Sequence, residues 1–260
     1  MHVFPGLALE SPVLMHGILA LAGMDLACSS GIDAEVKARC RTRALLHQQL
    51  GFRLFRQKLD LWSCDQVSEA ARDAKEILLS YSMIMATLTF AHAHISTKPP
   101  DMDDVVELFT VTRGIKLMFY AGAGLPENSP IIPLLAIRPT PDRADRTYAR
   151  NLDNLAQLRP TCPDVIYQEA IDILETFLVD SSNRNFDFRM VGRWLTSVPE
   201  TFIALVQTRD QQALAILKHY AAFLTSMQHL WWIGNWGSMI TNVVDRATIE
   251  LGPQPHQTVF

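Results

Sequence analysis

Nowhere along the chain do apolar and polar residues alternate with a period of two, and no Asn-Gly or Asp-Gly pair marks a hairpin. Helical punctuation recurs instead. Ser11-Pro12 reads as an N-cap followed by proline at the first helical position, and Ser29-Ser30-Gly31 stops that helix. Asp33 caps a second helix, in which Leu45, Leu46, Leu50, Leu54 and Leu59 roughly follow the helical period. Ser63 and Gln66 fit a capping box for a third helix reaching Ile95, with Ile77, Tyr81, Ile84, Met85 and Leu88 on one stripe. After the turn "STKPPD", a fourth helix is expected from Asp101 to Ala123. The Pro- and Gly-rich "GAGLPENSPIIPLLAIRPTP" reads as irregular chain. Further helices are expected at 141–158, 164–182, 188–196, 198–207, 210–227 and 229–251. The fold class is therefore all-α. Residues 1–260 read as a single irregular multi-helix domain of about ten helices, too many for a four-helix bundle.

Composition narrows the function. With 48% apolar and 19% charged residues the chain is globular, and its net charge of −4 offers no overall electrostatic footprint for nucleic acid. Cysteines 28, 40, 64 and 162 form no CxxC pair, which fits reduced thiols, an intracellular setting and no zinc finger. The apolar run "VLMHGILALAGMDLA" carries His16 and Asp25 and is too short for a membrane span. Gly122-Ala123-Gly124 follows a helix and lacks the Lys-Ser/Thr pair of a phosphate loop. No Gly-x-Ser-x-Gly elbow exists. His92 and His94 stand two apart on a helix, pointing about 200° from each other, so they do not ligate one metal from one face. Arg39, Arg41 and Arg43 read as a solvated helix face, and Asp103, Asp104 and Glu107 as acids complementing a helix N-terminus. No metal and no cofactor are expected.

The stretch "HYAAFLTSMQHLWWIGNWG", residues 219–237, concentrates three of the five tryptophans. In the helix before it, Ala213, Leu217, Tyr220, Leu224 and Met227 share a face. On a continuous helix Trp232 and Trp236 also share a face and Trp231 points about 100° away, so the indoles do not all enter one seam. A pocket for a rigid apolar small molecule is expected, lined by Met83, Phe90, Phe119, Tyr220, Phe223, Met227, Trp231, Trp232 and Trp236. Arg113 and Lys116, three apart on one face, and His92, His94 and His219 are the candidate catalytic donors that polarise a ligand oxygen. The apolar helices also make a homodimer plausible.

The segment "ALAILKHYAAFL…LWWIGNWGSMI" resembles the C-terminal regulatory domain of fungal zinc binuclear-cluster transcription factors, especially the sterol-uptake-control branch. "SPVLMHGILALAGMDLA", "LLHQQLGFRLFRQKL", "LFTVTRGIKLMF" and "RWLTSVPETFIALV" fall in that family's order. The resemblance implies an all-helical domain whose C-terminal helices enclose an apolar, sterol-type pocket. It departs from the family in two respects. The family's DNA-binding module needs six closely spaced cysteines, so this chain alone is not expected to bind DNA in that way, and Lys218 stands where a small residue is expected. Two functions follow as expectations. One is a stand-alone fungal secondary-metabolism enzyme that cyclises a terpenoid- or polyketide-like substrate, in a pericyclic, Diels–Alder-type reaction, without a cofactor. The other is a ligand-sensing regulatory domain.

Overall fold

The structure of the chain, a computed structural model, describes residues 8–64, 69–96, 98–121, 144–183 and 188–251, except the side chains of residues 64, 69–73, 115–121, 144–148, 180–183, 188–190 and 251. Among these residues the regular structure is ten α-helices and one 3₁₀ turn, with no strand, as the sequence led one to expect. Helix α1 (Pro12–Cys28) is apolar nearly all round, so burial on more than one side is what stabilises it. It lies against both α2 (Ala34–Cys64) and α3 (Glu69–Ile95), burying Leu14, Ala20 and Met24 completely. Ser11 takes the extended N-cap conformation ahead of Pro12, but its hydroxyl makes no capping bond.

Helix α2 runs through Ser63, whose hydroxyl donates back to the Asp60 carbonyl at 2.7 Å. This corrects the expected capping box: Ser63 closes a helix instead of opening one, and Gln66 lies outside the described residues. At 27 residues, α3 is about 40 Å long and links the α1–α2 pair to the C-terminal half. Its segment Ala74–Ile95 is long and apolar enough to cross a membrane, and most of it is buried inside the protein. The irregular stretch expected after Ala121 lies outside the described residues.

Helix α4 (Met102–Ala121) starts at Asp101, whose carboxylate accepts from the Asp103 and Asp104 backbone N–H groups while Asp104 accepts from the Asp101 N–H. That reciprocal cap satisfies three orphan donors with two short acids. Lys98 donates to Asp101 at 2.5 Å and, with these N–H groups, holds the carboxyl at a pKa of about 2. Beyond it come α5 (Ala144–Leu158), a 3₁₀ turn (Arg159–Thr161), α6 (Val165–Asn183), α7 (Phe188–Ser197), α8 (Glu200–Gln207), α9 (Gln211–Ser226) and α10 (Trp236–Leu251). Asp210 caps α9 through the Ala213 N–H and also accepts from the Tyr167 hydroxyl at 2.9 Å, tying α9 to α6. Helix α9 is central: α5, α6, α8 and α10 all pack on it.

Aromatic side chains fill the space between these helices. The Trp194 ring stacks on Tyr220 with centroids 4.8 Å apart and meets Phe202 edge-on at 5.7 Å and Phe109 at 5.8 Å. Phe223 continues the series, edge-on to Phe177 at 4.5 Å. Such edge-on and offset pairs are the favoured aromatic geometries.

Candidate functional site

Residues 227–235 form a succession of tight turns, in which Leu230, Ile233, Gly234 and Trp236 N–H groups bond back three or four residues. This corrects the expected helix over 229–251. Gly234 adopts φ +46, and α10 begins only at Trp236. Left-handed backbone at Gly234 breaks the helical path. The face-sharing argument for Trp231, Trp232 and Trp236 therefore does not apply. Trp232 and Trp236 instead converge through the turn, both edge-on to Phe90 at 5.6 and 6.0 Å, and the Trp236 indole N–H donates to the Phe90 carbonyl at 2.6 Å.

The other expected lining residues are placed as follows. Tyr220 and Phe223 lie in the aromatic series just described, and the Tyr220 hydroxyl, fully buried, donates to the Val191 carbonyl at 2.7 Å. Burial pushes that phenol's pKa well above its usual value. Met83 is buried on α3, Met227 is buried at the end of α9, and Trp231 is half-buried. The Phe119 and Lys116 side chains lie outside the described residues.

The expected donors divide between corners and clefts. Arg113 donates to the Val198 carbonyl at 2.5 Å and lies 3.8 Å from the Glu200 carboxylate, so its guanidinium clamps the α7–α8 corner. His219 exchanges two bonds with Asn151: its Nδ1 bonds Oδ1 at 2.8 Å, and the Asn151 amide donates to the His219 carbonyl at 2.9 Å. That pair fastens α5 to α9. Lys218 pairs with Asp245 at 2.5 Å, joining α9 to α10.

His94 and His92 stand at two adjoining clefts. The larger, of about 650 Å³, lies between the end of α3, the turn 98–100 and one face of α10. Its wall on this side is Met239, Asn242 and Arg246 of α10, spaced i, i+3, i+7 on one stripe, preceded by Asn235 from the turn just before the helix. Ala93, His94, Pro99 and Pro100 face them. A smaller cleft of about 90 Å³ holds His92 and Trp236 together with Asp104 and Glu107.

His94 organises the larger cleft. Its Nε2 lies 3.2 Å from the Trp232 carbonyl, and Gly234 packs so close that a Cβ there would sit 2.8 Å from the imidazole. Burial lowers the His94 pKa, with the Trp232 and Ile233 carbonyls and the Asn235 side chain opposing. His219 and His16 are lowered as well, both chiefly by burial; His16 also faces His47, at 2.8 Å between Nδ1 atoms.

A folded pKa below the ordinary histidine value means that the fold prefers the neutral ring. Stability is therefore intact above about pH 6.5 and declines as pH falls below it, each pK unit of depression removing about 1.4 kcal/mol once protonation is complete. Urea midpoints measured from pH 8 to pH 5.5 should fall below pH 6.5, and His219→Asn should flatten the decline. A midpoint rising toward pH 5.5 would contradict the assignment.

Of the residues expected from the sequence, His94 lines the larger cleft and His92 and Trp236 the smaller, while Met83, Phe90, Tyr220, Phe223, Met227, Trp231 and Trp232 line neither; Lys98, Asn235, Asn242 and Arg246, which line the larger cleft, were not among those expected. The i, i+3, i+7 spacing of Met239, Asn242 and Arg246 was the available signal. No group of three or more His, Cys, Asp or Glu side chains suited to a metal occurs among the described residues. Fold and site define an all-α protein with a mixed apolar and polar cleft of small-molecule size. No family model, no curated protein and no solved structure matches the chain.

Proposed function

We propose that this protein binds a largely apolar small molecule of the terpenoid, sterol or polyketide kind in the cleft between α3 and α10. The observation that carries the reading is the cleft's size and lining: about 650 Å³, with Met239, Ala93 and two prolines beside His94, Asn235 and Asn242. Binding sites for such ligands combine apolar area with a few convergent polar groups, in volumes of about 300–1,000 Å³. The motif order resembling fungal zinc-cluster regulators supports the same ligand class.

Catalysis is the further step we attach to this reading. The single N–H of a neutral His94 is spent on the Trp232 carbonyl, so the Asn242 amide on the cleft wall is the donor we assign, beside apolar surface that favours cyclisation of a folded substrate without a cofactor. A regulatory domain would use the same cleft to shift a conformational equilibrium.

The test for binding is a steric block. Asn242 is exposed on the cleft wall, so Asn242→Trp fills the cleft without disturbing the core. Calorimetric titration with rigid terpenoids should show at least about ten-fold weaker binding to that variant, a loss of about 1.4 kcal/mol. Equal affinity would place the ligand elsewhere. Incubation with linear precursors separates the roles: an unchanged product ratio and stereochemistry against buffer removes catalysis and leaves binding.

A further inference from the structure

We propose that the ligand of this cleft is an acid, anchored by its anionic group at Arg246 with its apolar body running along α10 toward Asn235. The inference rests on the cleft reading above and names the chemistry of its occupant.

Charge is unevenly distributed along the cleft. Asn235, just before the first residue of α10, and Arg246 are eleven residues apart, about 16 Å along the helix direction. The Asn235 end is neutral, formed by an amide and by His94, which burial keeps uncharged. The opposite end carries two cations, Arg246 and Lys98, and among the described residues no carboxylate lines the cleft.

The two cations are not equivalent. Lys98 is paired with Asp101. Arg246 donates through Nη2 to the Pro100 carbonyl at 2.6 Å, a neutral partner that orients the guanidinium, and it forms no ion pair among the described residues. The neighbouring Asp245 pairs with Lys218 toward α9. Asp104 and Glu107 line the adjoining smaller cleft, which shares Lys98 and Pro100 with the larger one. A guanidinium fork fixed at one end by a carbonyl still presents N–H groups to a carboxylate. Met239 supplies apolar contact between the two ends. An apolar body with one terminal acid matches this order of groups; a neutral sterol-type alcohol leaves the cation unused.

The experiment compares dehydroabietic acid with the corresponding alcohol, dehydroabietinol, as probes of one rigid skeleton, by calorimetric titration of the full chain. The acid should bind at least about ten-fold more tightly than the alcohol and weaken as salt is raised. Arg246→Gln should erase the preference by bringing acid binding down to the level of the alcohol on the same variant, and Arg246→Lys should restore part of it. Arg246 is exposed, and unchanged thermal melting of each variant checks that the fold is kept. Equal binding of acid and alcohol, or a preference that survives Arg246→Gln, overturns the anionic anchor and leaves the cleft reading standing. Failure of both probes to bind overturns the anchor, and insensitivity of alcohol binding to Asn242→Trp overturns the cleft reading instead.

Discussion

Trp194→Ala should lower stability by about 3–5 kcal/mol, a large share of the roughly 5–15 kcal/mol that holds a typical domain folded. Trp194 is completely buried on α7 and touches Phe109 on α4, Phe202 on α8 and Tyr220 on α9. Its indole N–H donates to the Ala170 carbonyl of α6 at 3.2 Å. One side chain therefore holds five helices, and truncation leaves a cavity that none of them can close alone. Transfer and cavity terms then add. Urea unfolding followed by circular dichroism should show the midpoint fall sharply. Trp194→Phe should recover part of the loss, because it keeps an aromatic ring and gives up only the outer ring and one hydrogen bond. Trp231→Ala is the control: that indole is half-buried and its loss should cost much less. A drop below about 1 kcal/mol for Trp194→Ala would contradict an interlocked aromatic core.

This arrangement marks what the sequence could and could not convey. Helices α1 to α4 and α6 to α9 begin or end close to their proline, aspartate and glycine signals, because capping is a local interaction that a few neighbouring residues decide. The boundary before α10 was not legible. Leu230, Trp231, Trp232 and Ile233 continue a helical apolar pattern, whereas the backbone of 227–235 turns back on itself and passes Gly234 at positive φ. Arg113 and His219 were legible as polar groups amid apolar ones, but not as helix clamps, since Val198 and Asn151 lie 85 and 68 residues away. The α10 stripe was hidden for the opposite reason. Polar residues at helical spacing are what any solvated face displays, and only the prolines of the facing turn make this one a wall.

Gly237→Ala should be the second severe substitution, and it bears on the cleft directly. A Cβ at Gly237 would lie 2.1 Å from the Thr225 hydroxyl oxygen, 2.5 Å from the Ala221 carbonyl oxygen and 2.7 Å from the Thr225 backbone nitrogen. The hydroxyl can rotate away, but the two backbone atoms belong to α9 and cannot. Helix α10 must therefore shift from α9 at its first turn, against the Trp236 bond to the Phe90 carbonyl that holds it to α3. Overpacking of this kind costs about 1–3 kcal/mol, and more where neither side can move. Thr225→Ala in the same chain should rescue only a small part, because it removes one of the three close atoms. Where the variant still folds, α10 carries Met239, Asn242 and Arg246 with it, so dehydroabietic acid should bind more weakly than the loss of stability alone explains. Full rescue by Thr225→Ala would mean that the side chain, not the α9 backbone, sets the spacing. In that case the position of α10, and with it the width of the cleft, is not fixed by the missing Cβ.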